Sequence, residues 1–117
     1  MNAQQVFDKI VKGLDSQNWQ KSIGDFDRCY YRSGQLKCAA GWLIPDELYS
    51  TEMESQQFCR LLDRKLITLE DLGVTEDQEV VSNLVTACQM AHDCSNSKYD
   101  MIDRFYQIAS TFQLAFN

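Results

Sequence analysis

No run of eighteen apolar residues occurs in this chain, so no membrane-spanning helix is expected. The opening Met1-Asn2-Ala3-Gln4-Gln5 is polar and runs into an amphipathic pattern, unlike a secretory signal. There is no Cys-x2-Cys pair, no glycine-rich phosphate loop, no G-x-S-x-G and no H-E-x-x-H. The signatures of zinc fingers, nucleotide cradles, serine hydrolases and zinc proteases are therefore missing. Proline occurs once, at Pro45, and histidine once, at His92; any imidazole base must be His92. No internal repeat, low-complexity tract or linker interrupts the 117 residues, which are expected to form one globular domain, 1–117. The five cysteines are an odd number without a secretory signal, which predicts reduced thiols and a cytoplasmic location.

The formal charge is −6 and unevenly spread. Residues 46–79 hold ten acidic and three basic side chains, net −7, whereas residues 1–45 hold four acidic and six basic, net +2. A negative middle third runs against nucleic-acid binding, whose footprint is a basic patch. It allows a basic protein partner or imitation of a phosphate backbone. A solvated acidic surface that keeps a small protein in solution explains the same residues without any partner.

The stretch Cys29–Tyr49 holds most of the local signal. Arg28–Arg32 is rich in aromatic residues, as strands prefer. Ser33-Gly34 then suits a two-residue turn that needs positive φ, and Gln35–Ala39 returns as the second strand. With that turn Tyr31 faces Leu36, Tyr30 faces Lys37, and Cys29 faces Cys38 directly, close enough for a mild oxidant to join the two thiols. Tyr30 and Tyr31 point to opposite faces. Ala39-Ala40-Gly41 permits close approach of another element, Trp42-Leu43-Ile44 is expected to be buried, and Pro45 breaks the chain before an acidic helical turn at Asp46-Glu47.

The string Lys37-Cys38-Ala39-Ala40-Gly41-Trp42-Leu43-Ile44-Pro45-Asp46-Glu47, followed by Tyr49 and Met53-Glu54, resembles a family of small bacteriophage, prophage and bacterial proteins with the pattern C-x-Y-R…G-x-K-C-A-x-G-x-L-I-P-D-x-x-Y…M-E. This chain has Gln35-Leu36 between Gly34 and Lys37, one residue more than that pattern. Gln89-Met90-Ala91-His92-Asp93 is similar to a helix-ending Q-x-x-H-D of the same family. The resemblance implies a phage or mobile-element accessory protein acting in a bacterial host cell, and no particular reaction.

Elsewhere the pattern is helical. Asn2 with Gln5 reads as a capping box ahead of the stripe Val6, Phe7, Ile10, Val11, Leu14, in a helix ending near Gly13 or Leu14. Asp15–Asp27 reads as a connector with Trp19, Ile23 and Phe26 as core anchors. A helix restarts at Ser50-Thr51, with Glu52 and Glu54 in its first turn and Phe58, Leu61 and Leu62 on its apolar side. Thr68–Asp71 is a capped single turn closed by Gly73, Thr75–Gln78 opens the longest helix, and Ser97 with Asp100 caps the last. The expected fold is mainly α with minor β, about five helices packed with one two-stranded hairpin near residues 28–39.

Three sets of residues could carry chemistry. Cys29, Cys38, His92 and Cys94 are the right types for four zinc ligands, although C-x8-C is not a zinc-finger spacing; buried free thiols are the preferred reading of the cysteines, and Cys59 and Cys88 read as core. A cysteine with His92 as base and Asp93 as orienter would make a nucleophilic site. Acids at helix starts account for Asp46, Glu47, Glu52 and Glu54 without catalysis. The function expected first is a small, acidic, non-enzymatic interaction module without a cofactor, binding a host or phage protein through Tyr30, Asp46, Glu47, Tyr49, Glu52 and Glu54. The alternative is a metal- or thiol-dependent enzyme using Cys29, Cys38 and His92.

Overall fold

A computed structural model of the chain describes residues 1–116, with Asp27 by its main chain alone. It contains four α-helices, α1 (Ala3–Ser16), α2 (Phe58–Asp63), α3 (Gln78–Cys94) and α4 (Lys98–Phe112), and a two-stranded antiparallel sheet of β1 (Arg32–Ser33) and β2 (Leu36–Lys37). Single 3-10 turns stand at Asp25–Asp27, Ala40–Trp42, Thr51–Met53 and Glu70–Leu72. The fold is mainly helical with a small sheet, and the α-helices number four where about five were expected. The turn expected at Thr68–Asp71 is 3-10, not α, and the helix expected from Ser50 is shortened. Only Thr51–Met53 winds up; Glu54 then leaves helical space at ψ 151, Ser55 takes φ 65, and α2 starts at Phe58.

Local capping decides the ends of α1 and α4. The Asn2 side chain accepts from the Gln5 N–H and the Gln5 side chain from the Asn2 N–H, both at 2.9 Å. Ser97 accepts from Asp100 N–H, and Asp100 accepts from Asn96 N–H. At Thr68 and Asp71 the same reciprocal pair forms, and Gly73 closes the turn at φ 84. The capping box expected at Thr75–Gln78 does not form. The N-cap of α3 is Asp77 at φ 51, without a side-chain cap, and the Gln78 amide reaches Glu70 and the Val74 carbonyl instead.

Helix α3 is central and touches α1, α2 and α4. Val6, Phe7, Ile10 and Leu14 from α1, Leu84, Val85 and Cys88 from α3, and Met101, Phe105 and Ala109 from α4 are buried together. Phe7, Trp19, Phe105 and Phe116 form an aromatic group, with Trp19 edge-on to Phe105 at 5.4 Å. Phe116 also stacks on Tyr106, after Gln113 turns the chain at φ 58. The Gln4 amide binds both main-chain groups of Ala115 and holds that return.

Helix α1 runs on to Ser16 rather than ending near Gly13 or Leu14, and Gly13 is a packing site within it. The Trp42 indole lies on it so closely that a Cβ at Gly13 would fall 2.2 Å from Trp42 Cδ2. Lys37 covers the indole at 4.7 Å. Trp42 is half-buried, not fully buried as expected, and its ring nitrogen has no partner among the described residues.

The hairpin register corrects a larger expectation. Arg32 pairs with Lys37 and Ser33 with Leu36, so the loop is Gly34-Gln35 and not Ser33-Gly34. Gly34 is its first central residue at φ 61, where Gly is favoured. Tyr31 therefore lies opposite Cys38, whose N–H reaches the Tyr31 carbonyl. Cys29 forms an isolated bridge with Ile23 on another segment. Cys29 and Cys38 are not cross-strand neighbours, and the register does not set them up for the expected oxidative link.

Candidate functional site

The residues between Tyr31 and Glu54 fold onto one another as a clasp. Arg32 leaves β1 with its side chain 18% exposed. Its guanidinium donates to the Ile44 carbonyl at 2.8 Å, meets Asp46 at 2.8 Å and lies 4.6 Å from the centre of the Tyr49 ring. The break at Pro45 brings Asp46 and Tyr49 back to this cation. Glu54 completes the closure: its carboxylate accepts the Tyr31 N–H at 2.8 Å, the Arg32 N–H at 3.2 Å and the Tyr49 O–H. Burial and the Glu54 hydrogen bond push the Tyr49 hydroxyl up to about 12. Tyr31 is buried, and its hydroxyl donates to the Gln56 carbonyl.

Six residues were expected to bind a partner, and the clasp separates them. Asp46, Tyr49 and Glu54 come together around Arg32, so Tyr49 and Glu54 are occupied internally. Asp46 is 82% exposed and meets Arg32 from the solvent side. Glu47 and Glu52 are exposed. Tyr30 is half-buried, its ring over Gly24, where a Cβ would fall 2.3 Å from Tyr30 Cε2.

The four sulfur and nitrogen ligands proposed from sequence do not assemble. Cys38 is fully buried and accepts from the Gly41 N–H, and burial pushes its thiol up to about 12. Cys94 is exposed at the end of α3, and Cys59 is exposed on α2 instead of buried. Among the described residues, the group that could hold a metal is Cys29, His92 and Asp93, with ligand atoms within 4.8 Å of one another. Asp93 was expected to orient a base, not to be a ligand.

The hydrogen bonds of that group define its chemistry. His92 is fully buried, and its Nε2 accepts from the Ser22 N–H at 3.0 Å. Nε2 is thus unprotonated, and the proton sits on Nδ1, which donates to Asp93 Oδ1 at 2.8 Å. A metal on Nδ1 would have to remove that proton while Nε2 still accepts from the backbone, leaving an imidazolate. A metal on Nε2 would displace the Ser22 N–H. Burial first, then the Asp93 charge and a hydrogen bond to it, push the Cys29 thiol up to about 11. The cysteine is therefore a protonated thiol beside an imidazole with both nitrogens engaged, which lacks the thiolate and free base of a nucleophilic pair.

Two residues with no role expected from sequence, Gln89 of the Q-x-x-H-D string and Gln17, tie these parts together. Gln89 accepts from the Ala40 N–H at 2.9 Å and donates to Asp93 at 3.0 Å, joining the end of α3 to the turn at Ala40–Trp42. Gln17 takes both main-chain groups of Lys37, covering the outer edge of β2 as a third strand would. No sequence signal marks either role, since each partner lies far along the chain.

Beside the Cys29 group runs a groove of about 520 Å³. Arg28, Cys29 and Tyr31 line it together with residues 55–57, Phe58 and Cys59 of α2, and Thr86, Gln89, Met90 and Asp93 of α3. Comparison of the chain with protein-family models, with curated proteins and with solved structures finds no match. No helix among the described residues is long and apolar enough to cross a membrane.

Proposed function

We propose that this chain is a non-enzymatic protein-interaction module that binds a basic surface, an accessory protein of phage or mobile-element type acting on a host or phage protein. The observation that carries the reading is the division of labour within segment 46–54. The inner groups, Tyr49 and Glu54, are consumed by the clasp, while Glu47 and Glu52 remain exposed on it. Acids held on a fixed backbone lose less freedom on binding than acids on a mobile loop. The neutral His92 and the protonated Cys29 speak for binding over thiol or metal chemistry.

The test is capture of partners from a bacterial host lysate by the intact chain and by a Glu47→Lys, Glu52→Lys variant, at low and high salt. A protein retained by the native chain, lost by the variant and released as salt shortens the Debye length below about 8 Å supports the proposal. Identical retention by both chains at both salts removes it. One equivalent of zinc in the purified protein would restore the enzymatic alternative.

A further inference from the structure

The connector between α1 and β1 carries an apolar side chain with nothing over it. Phe26 is 92% exposed, and its backbone is left-handed at φ 59 and ψ 33, a conformation that bulky residues rarely adopt. The hydrophobic pattern predicted a core anchor there. Two residues further on, Arg28 and then Cys29 line the 520 Å³ groove, as does Met90 of α3, itself 61% exposed. The knob thus stands two residues along the chain from one edge of a hole.

We propose that this face is self-complementary, and that two copies of the chain associate about a two-fold axis with each Phe26 ring seated in the other's groove. A two-fold contact uses one patch twice, so a knob beside a hole is the arrangement it requires. The groove has room, since a cavity of about 150 Å³ holds a benzene ring. Its lining suits a ring as well: Tyr31, Phe58 and Met90 are apolar, and the Cys29 and Cys59 sulfurs are polarizable. Charge agrees. Asp25 is exposed beside the knob and Arg28 is exposed at the groove, so the two sides of the contact carry opposite charges. A second copy supplies both a socket for Phe26 and a side chain for the groove with no further component.

The contact is weak. Each ring buries about 150–250 Å², so the two rings alone fall short of the roughly 1,000 Å² of a stable interface. The charge of −6 on each copy opposes association. Association is therefore expected to be weak, with a dissociation constant on the order of 0.1 mM.

Sedimentation velocity on the whole chain between about 10 µM and 1 mM brackets that value. The mass should rise from 13.5 kDa towards twice that figure. Phe26→Asp and, separately, Met90→Arg should each move the midpoint at least about tenfold to higher concentration. Circular dichroism and an unchanged unfolding midpoint would show that each variant is folded. A chain that stays monomeric at the highest concentration overturns the proposal. So does a dimer that tolerates both substitutions, which places the contact elsewhere, or one that loses association only with Phe26→Asp, which removes the groove as the socket.

Discussion

Glu54 is the residue on which the clasp closes, and its removal has a calculable effect. Glu54→Ala takes the acceptor from three donors at once, the N–H groups of Tyr31 and Arg32 and the hydroxyl of Tyr49. A buried donor left without a partner costs about 1–3 kcal/mol. Glu54 is half-buried and the Tyr49 hydroxyl can turn to water, so the lower end of that range applies to each, and the total is about 3 kcal/mol. Glu54→Gln keeps one oxygen with two lone pairs but sets an amide nitrogen against a donor, and should cost about half as much, roughly 1–2 kcal/mol. The assay is urea unfolding of the native chain, the two Glu54 variants, Tyr49→Phe, and the Glu54→Ala, Tyr49→Phe pair. In thermal unfolding Glu54→Ala should lower the midpoint by about 10 °C for a domain of this size. Tyr49→Phe and Glu54→Ala should be non-additive by at least about 0.5 kcal/mol, since both break one hydrogen bond. A loss below about 0.5 kcal/mol for Glu54→Ala, within the range of ordinary surface substitutions, would refute the clasp as a determinant of stability.

The Gly13–Trp42 contact predicts a reversal of sign. Gly13→Ala should destabilise by about 1–2 kcal/mol because the new Cβ meets the indole, yet in a Trp42→Ala background it should stabilise by up to about 1 kcal/mol through helix propensity; urea midpoints of the four chains decide it. Stability should also fall with alkali. Cys29, Cys38 and Tyr49 are raised in the folded state to about 11, 12 and 12 from ordinary values of 9.0, 9.0 and 10.0, so the unfolded chain loses these protons first. Their contribution is intact below pH 9 and is lost as pH rises through the folded values; unfolding midpoints between pH 7 and about 11 should show the decline, and a flat profile would contradict it. At about pH 8 an alkylating agent should modify the exposed Cys59 and Cys94 well before Cys29, whose thiolate fraction there is about one in a thousand, and mass spectrometry reads the order.

The parts legible in the sequence are those whose partners lie within one turn of helix. Asn2 with Gln5, Thr68 with Asp71 and Ser97 with Asp100 form hydrogen bonds three residues apart, and the stripe from Val6 to Leu14 needs only helical periodicity to place a buried face. A lone hairpin around Gly34 was equally readable, because glycine is the residue that tolerates φ 61. Its register was not. Turns at Ser33-Gly34 and at Gly34-Gln35 both use that glycine, and the two outer edges are taken by Glu54 and Gln17, which lie some twenty residues away on either side. Moving the turn by one residue shifts every pairing by two, which puts Tyr31 rather than Cys29 opposite Cys38 and undoes the expected four-ligand set. The same distance hid the rest. The His92 Nε2 is taken up by the Ser22 N–H, seventy positions back. Gln89 answers the Ala40 N–H across forty-nine. Phe26 carries a core-like side chain, but its turn adopts a left-handed backbone that leaves the ring outside. Composition and periodicity determine which segments coil and which side they bury. Which carboxylate is consumed inside and which is left to face a partner depends on hydrogen bonds between remote residues, and only the packed chain decides those.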